Sequence, residues 1–157
     1  MVDFRKAKQN EAKVISELAI NSKAHWGYSS KFMEECKAEL SHTPEQLIND
    51  KYIYIVAVKG ESIVGFYKLE NILQETILLE ALFIEASMIG CGLGRNLYEH
   101  AKQVCSDQGA VYIEVQSDPN SEGLYKTVGM NVTGKAQSGS IAGRYLPTLR
   151  ALIRNDT

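Results

Sequence analysis

Cysteine is scarce in this sequence: Cys36, Cys91 and Cys105 are an odd number with no close pair. That argues against a disulfide framework, and the scattered histidines 25, 42 and 100 add no metal-ligand spacing. Long apolar runs are missing too, since none approaches the ~20 residues of a membrane span. The opening "MVDFRKAKQNEAK" is charged from its third residue and holds no apolar secretion segment. The expectation is a reduced, cytoplasmic setting with no membrane partner and no metal. Charge of one sign is not in excess: 17 basic against 19 acidic side chains leave a net −2. A nucleic-acid binder usually shows a basic face, so no nucleic-acid partner is expected. Proline occurs three times, and no repeat or Gly/Ser/Pro linker divides the chain. Residues 1–157 therefore read as one domain.

Hydrophobic spacing orders the chain. "VDFRKA" alternates weakly and fits an edge strand. Val14, Ile15, Leu18 and Ala19 recur at helical spacing from Asn10 to about Ser22. Ser29 or Ser30 can cap a second helix, and Thr43-Pro44-Glu45 opens a short third, with proline in its first turn. From Lys51 the period changes. "YIYIVAV", the turn "KGES" and "IVGFYKLE" predict a hairpin, and "ETILLEALFIEA" predicts a central strand. Leu93, Leu97, Ala101, Val104 and Cys105 trace one face of a further helix ending at Gly109. "AVYIEVQS" alternates, "SEGLYKTV" is a short helix, and extended segments at 130–138 and 146–154 close the chain. The order β-ααα-βββ-α-β-α-ββ specifies a mixed α/β fold around one largely antiparallel sheet of about seven strands. An exposed last strand could pair two copies as a homodimer.

The stretch "SMIGCGLGRNLYEHA" crowds Gly90, Gly92 and Gly94 into five positions ahead of a helix. Such a loop aims free N–H groups and the positive end of a helix dipole at one point, which suits an anion such as a phosphate. It lacks the spacing and the lysine of a P-loop. It also has Leu97 where a dinucleotide fingerprint needs its third glycine, and the strands before it meet through a hairpin.

Loop and element order together resemble the GNAT superfamily of acetyl-CoA-dependent N-acetyltransferases. Its core motif is a strand, then [QR]-x-x-G-x-[GA], then a helix, and "LEALFIEASMIGCGLGRNLYEHA" matches it with Gly92 and Gly94 as the paired glycines. Downstream, "VQSDPNSEGLYKTVGM" looks like the family's strand–Asn–helix segment, with Asn120, Tyr125 and Gly129 in its positions. One residue departs from the pattern: Ile89 stands where the family has Gln or Arg. The resemblance then implies that the cofactor's pyrophosphate relies on the backbone N–H groups of Gly90, Cys91, Gly92, Leu93, Gly94 and Arg95, with the Arg95 and Asn96 side chains beside them. It further implies that Leu82, Phe83 and Ile84 offer backbone to pantetheine across a gap from strand 110–117. Tyr125 would protonate or hydrogen-bond the departing thiolate, and Asn120 would cap the helix that carries Tyr125 and touch pantetheine. The cysteines, Cys91 included, are not expected to carry the acyl group.

Glu80 is the only charge inside "TILLEALFI", and burying a lone carboxylate is costly. It is either paired within the sheet or exposed to the cleft, where it would serve as general base or as a seat for a cation. Glu114 is a weaker candidate of the same kind, and His100 reads as a surface residue. "HWGYSS" brings His25, the only tryptophan, Trp26, and Tyr28 into one connection, either as a box for the acceptor or as a staple between helices. In "QSGSIAGRYLP", Arg144 could clamp a substrate carboxylate or make an ordinary salt bridge. Both segments are similar to a bacterial GNAT subgroup with "HWGY" and "S-I-x-G-R-x-L-P", most of whose members lack an assigned substrate. The resemblance implies transfer of an acetyl group from acetyl-CoA to a primary amine, with a small-molecule acceptor favoured. The alternatives are a protein or peptide amine, or a non-catalytic acyl-CoA sensor.

Overall fold

The alternating runs of the sequence assemble into one seven-stranded sheet in a computed structural model that describes residues 1–153. Its strands are β1 (Val2–Lys6), β2 (Ile53–Lys59), β3 (Ser62–Glu70), β4 (Thr76–Ile84), β5 (Tyr112–Gln116), β6 (Asn131–Gln137) and β7 (Tyr145–Leu152). Between them lie α1 (Ala12–Ala24), α2 (Ser30–Leu40), α3 (Pro44–Leu47), α4 (Leu93–Asp107) and α5 (Glu122–Thr127). The element order is the expected one. Of the final extended segment, Arg154 lies outside the described residues. No helix among those described is long and apolar enough to cross a membrane.

Local chemistry sets the helix ends. Ser29 Oγ accepts the Phe32 N–H at 3.1 Å, which starts α2. Thr43 and Gln46 cap α3 reciprocally, with Pro44 at its first position. The lateral strand order is β1-β2-β3-β4-β5-β7-β6, and only the β4–β5 pair is parallel. The last strand, β7, is enclosed between β5 and β6. The expectation of an exposed last strand is thus corrected: the open edges are β1 and β6, because the chain returns through β7 to pair with β5.

The sheet separates two apolar layers. Leu93, Leu97, Tyr98, Ala101 and Cys105 of α4 cover one face together with Tyr125 of α5. Ile15, Leu18 and Ala19 of α1 and Cys36 and Leu40 of α2 cover the other. β4 changes allegiance midway. Ile77 and Leu79 belong to the α4 layer, whereas Ala81 and Phe83 belong to the α1–α2 layer, and Leu82 and Ile84 return to the α4 side. Against β3, Ala81 pairs with Lys68 and Leu79 with Leu69, leaving Glu80 as the extra residue of a β-bulge. One inserted residue reverses which side chains face which layer and bends the strand.

His100 does not sit on the surface as expected. The Tyr67 hydroxyl, fully buried on β3, needs a polar partner. His100 Nδ1 supplies it at 2.7 Å, with the imidazole edge-on to Phe4. Gly65, on β3 under α4, has no such room to spare. A Cβ there would lie 3.0 Å from Leu97 Cδ1, 3.2 Å from the Phe83 carbonyl and 3.3 Å from Ile84 Cγ2. Gly65→Ala should cost about 1–3 kcal/mol through overpacking, read as a lower midpoint in urea unfolding with an unchanged slope.

Candidate active site

The bulge also opens the sheet. β4 pairs with β5 only from Thr76↔Tyr112 to Leu79↔Val115. Beyond it, residues Ala81 to Ile84 stay on β3 while β5 follows β7. The edge of β4 facing β5 is therefore left without a strand partner over those residues, and a cleft of about 380 Å³ fills the gap. Leu82, Phe83 and Ile84 line one wall, and Gln116, Asp118 and Asn120 line the other. The glycine loop closes one end. Trp26, Glu39, His42 and Glu80 gather among the remaining lining residues.

At the glycine-loop end each glycine has its own reason. Gly90 and Gly92 hold φ of +87° and +90°, a left-handed backbone that costs any other residue strain. Gly94 is helical, and a Cβ there would approach Leu124 Cδ2 to 3.2 Å, so it sets how closely α4 lies to α5. The first-turn N–H groups of α4 are those a helix leaves without an intrahelical acceptor. Arg95 and Ile89 line the cleft beside them. The Leu93 side chain is buried in the core, so only its amide is available to a ligand. The Cys91 thiol is exposed and donates to the Met88 carbonyl at 2.8 Å. Asn96 is an exposed residue of the first helical turn.

At the other end, Glu80 belongs to a buried charged cluster. Lys68 Nζ lies 2.9 Å from Glu70 and 3.7 Å from Glu80, over the Tyr52 ring at 4.3 Å. Glu80 Oε2 is buried and accepts no hydrogen bond. Burial pushes this carboxyl above its ordinary range, opposed by the Lys68 charge and helped by Glu70 and Glu39. Both readings of Glu80 therefore hold at once: it is loosely paired within the sheet and it faces the cleft. The sequence reading missed Lys68, although a lone lysine in "IVGFYKLE" is the same signal that picked out Glu80. It also missed His42, Lys23, Glu39 and Asp118, which sit in connectors or on helix faces where no sequence period marks them.

Three connectors meet over the cleft at Asp118. The Tyr28 hydroxyl donates to its carboxylate at 2.8 Å, and the Asn120 N–H and side-chain amide donate at 2.9 Å. Arg144 Nη2 reaches it at 3.4 Å and Lys23 Nζ at 3.8 Å. Tyr28 stacks on Phe32 at 4.2 Å, and the Arg144 guanidinium covers Phe32 at 4.8 Å. Tyr28 is thus a staple, Trp26 lines the cleft, and His25 packs edge-on against Trp26. Arg144 makes the salt bridge rather than presenting a free fork. Asn120 does not cap α5, whose N-cap is Ser121 with no side-chain bond; its side-chain NH2 donates instead to Asp118 and Tyr28. Glu114 is no cleft residue: it pairs with Arg150 directly across the β5–β7 ladder at 2.9 Å. Tyr125 lies buried with its ring 6.3 Å from that of Tyr98. Burial pushes its phenol pKa well above the ordinary value, so it stays protonated at neutral pH.

The sheet is thus split at a bulge in its central strand, with a glycine loop and a helix N-terminus at the mouth of the gap. The acetyltransferase (GNAT) domain family matches residues 28–140, and the chain belongs to that family of acyl-transfer enzymes. It is 28% identical over 111 residues to the peptidyl-lysine N-acetyltransferase YjaB of Escherichia coli (strain K12), covering 71% of each chain. Its fold matches that of PaiA N-acetyltransferase from Thermoplasma acidophilum, solved in complex with coenzyme A. That match has a TM-score of 0.78 at 17% identity over 97% of this chain and 99% of that one. YncA from Salmonella typhimurium, solved with its cofactor acetyl-CoA, matches with a TM-score of 0.68 at 17% identity over 100% and 96%.

Asp118 gives the connectors a pH signature. Burial acts to raise its pKa, but hydrogen bonds from Asn120 and Tyr28 and the Lys23 charge outweigh it and hold the carboxyl below the ordinary range. A depressed carboxyl supplies stability that is complete above its unfolded pKa and lost as pH falls through the folded one. Asp118→Asn should cost about 1–3 kcal/mol at pH 7. It should also flatten the acid limb of a stability-against-pH curve measured by thermal unfolding.

Proposed function

We propose that this chain acetylates a primary amine of a small molecule, using acetyl-CoA by direct transfer in a ternary complex. The observation that carries this reading is the Glu80 carboxylate, which lines the cleft where β4 parts from β5 and is tied only by a 3.7 Å ion pair from Lys68 to Oε2, an oxygen that accepts no hydrogen bond. The site fits the cofactor. Backbone N–H groups of Gly90 and of Gly92 to Arg95, with Arg95 and Asn96 beside them, would hold a pyrophosphate at the N-terminus of α4, while the Cys91 N–H donates to the Met88 carbonyl at 3.3 Å. Ile89 leaves that task to the amides. The free edge at Leu82, Phe83 and Ile84 would bond pantetheine as an added strand, with Asn120 opposite.

Bound acetyl-CoA would supply a thioester carbonyl open to attack by an amine. Glu80 takes the proton that the ammonium must lose, and its raised pKa brings the base nearer to the working pH. Tyr125 is buried, kept protonated and not itself a lining residue of the cleft; its place in the family's strand–Asn–helix segment supports it as the group that would protonate the departing sulfur. A small acceptor is supported by the ties of Tyr28, Asp118 and Arg144 across the cleft and by Trp26 in its lining. A lysine side chain of a peptide is the second reading, favoured by the name of the Escherichia coli relative.

Thiol release from acetyl-CoA over a panel of amines, amino acids and lysine peptides tests the assignment. Turnover with small amines is expected, and turnover with lysine peptides alone would select the second reading. Tyr125→Phe should lose on the order of 10² in kcat while binding acetyl-CoA as before, whereas a sensor would show no turnover to lose. Glu80→Gln should lose roughly 10²–10⁴ in kcat and remove the acid limb of the rate profile, the limb that rises as Glu80 deprotonates. Its effect on stability runs the other way. A raised carboxyl contributes stability that is present below its unfolded pKa and lost as pH rises through the folded one. At pH 8 the glutamine variant should therefore melt at a higher temperature than the parent.

A further inference from the structure

His42 is the most constrained polar side chain at the acceptor end, and one of its atoms has nothing to do. It lies between α2 and α3 and is 7% exposed. Ser16 of α1 binds its backbone on both sides: the His42 N–H donates to Ser16 Oγ at 2.8 Å, and that hydroxyl lies 3.2 Å from the His42 carbonyl. The ring is wedged edge-on between Tyr54 and Phe66, with centroids 5.4 Å from each. Nδ1 lies 2.7 Å from the Tyr54 hydroxyl. Nε2, on the opposite corner of the ring, is buried and has no hydrogen-bond partner. The residue lines the cleft that Glu80 also lines.

The tautomer follows from the neighbours. The Lys68 ammonium lies 5.6 Å from the centre of the Tyr54 ring, and its positive charge turns the phenol proton away from it. The Tyr54 proton is then directed to His42 Nδ1, which places the ring hydrogen on Nε2. Burial and the nearby Lys68 charge lower the His42 pKa to about 4, so the imidazole is neutral at physiological pH. Four contacts thus hold one N–H donor with no acceptor of its own, and a buried orphan of this kind is costly unless a ligand completes it.

We propose that His42 determines acceptor specificity, its Nε2–H donating to an oxygen of the amine substrate whose nitrogen lies at Glu80. This rests on the acetyltransferase reading above and narrows it. The acceptor class is an amine carrying a hydroxyl or carbonyl oxygen close to its nitrogen, not a bare alkylamine. A site that donates to a substrate oxygen penalises the isostere lacking it, because the donor is then left unpaired in the closed complex.

The test compares matched pairs, 2-aminoethanol with propylamine and glycinamide with isobutylamine, in the parent and in two variants. The parent should favour the oxygen-bearing member by at least ~10-fold in kcat/KM. His42→Asn keeps a polar atom where Nδ1 meets Tyr54 and removes the far donor, so the preference should collapse to within ~2-fold. His42→Gln reaches the Nε2 position with an amide N–H and should keep most of the preference. Acetyl-CoA affinity, measured by titration calorimetry, should be the same in all three. Equal rates on both members in the parent, or an undiminished preference in His42→Asn, would overturn the proposal. Nitrogen-15 NMR of the histidine rings gives an independent readout. The proposal expects the Nε2–H tautomer at pH 7 and a shift of that resonance when 2-aminoethanol is added to the coenzyme A complex. An Nδ1–H tautomer, or an unmoved Nε2, overturns it even if no amine is turned over, an outcome that would by itself remove the acetyltransferase reading.

Discussion

Everything at the candidate site depends on one inserted residue. Without Glu80 in the bulge, β4 would run in register between β3 and β5, and the sheet would close. The bulge does three things with a single backbone irregularity. It turns the second half of the strand over, so that Ala81 and Phe83 pack under α1 and α2. It ends pairing with β5 after Leu79. It also brings a carboxylate into the α1–α2 layer, beside the lysine of the neighbouring strand. Bulges are found where a strand must re-aim a side chain or stop pairing, and here both needs coincide at one position.

A carboxylate placed there has to be tolerated by its surroundings, and the packing shows how. Lys68 is nearly as buried as the core, yet it is shared between Glu70, Glu80 and the faces of two tyrosines. Lys68 is closer to Glu70 than to Glu80, so its single charge is matched by Glu70 and Glu80 is left only loosely paired. Tyr54 passes the same influence to His42. The interior polar groups lie side by side, from a paired charge at Lys68 to two residues, Glu80 and His42, that line the cleft. Networks of that kind are stabilising only where every member finds a partner. Two members lack a hydrogen-bond partner, Glu80 Oε2 and His42 Nε2, and both residues line the cleft.

The fold was legible in the sequence because each of its rules is local. Ser29 and Thr43-Pro44 announced helix starts, β-branched runs announced strands, and Gly90 and Gly92 announced a backbone that only glycine adopts without strain. Glu80 was legible as an anomaly, a charge where the pattern required none. What could not be read was contact across distance. Arg144 and Tyr28 are 116 residues apart, and nothing in either segment says that both converge on Asp118. Asn120 fits a capping pattern, but its side-chain NH2 is anchored to the neighbouring Asp118 carboxylate and the N-cap position falls to Ser121. His100 looked exposed because its helical face is polar in sequence, and only the packing of α4 over β3 reveals the tyrosine waiting for it. His42 carried no signal at all: its significance lies in four contacts made by residues from α1, β2 and β3.

The parallel pairing of β4 with β5 spans four residue pairs, Thr76↔Tyr112 to Leu79↔Val115. Mechanically the sheet is a book with a short spine. One leaf is β1 to β4, and the other is β5, β7 and β6. Helices brace each leaf, while the spine alone carries the ladder between them. A long ligand lying in the gap and bonding both walls would act as a splint along the unbound part of that spine. Occupancy would then stiffen the angle between the leaves as well as fill a cleft.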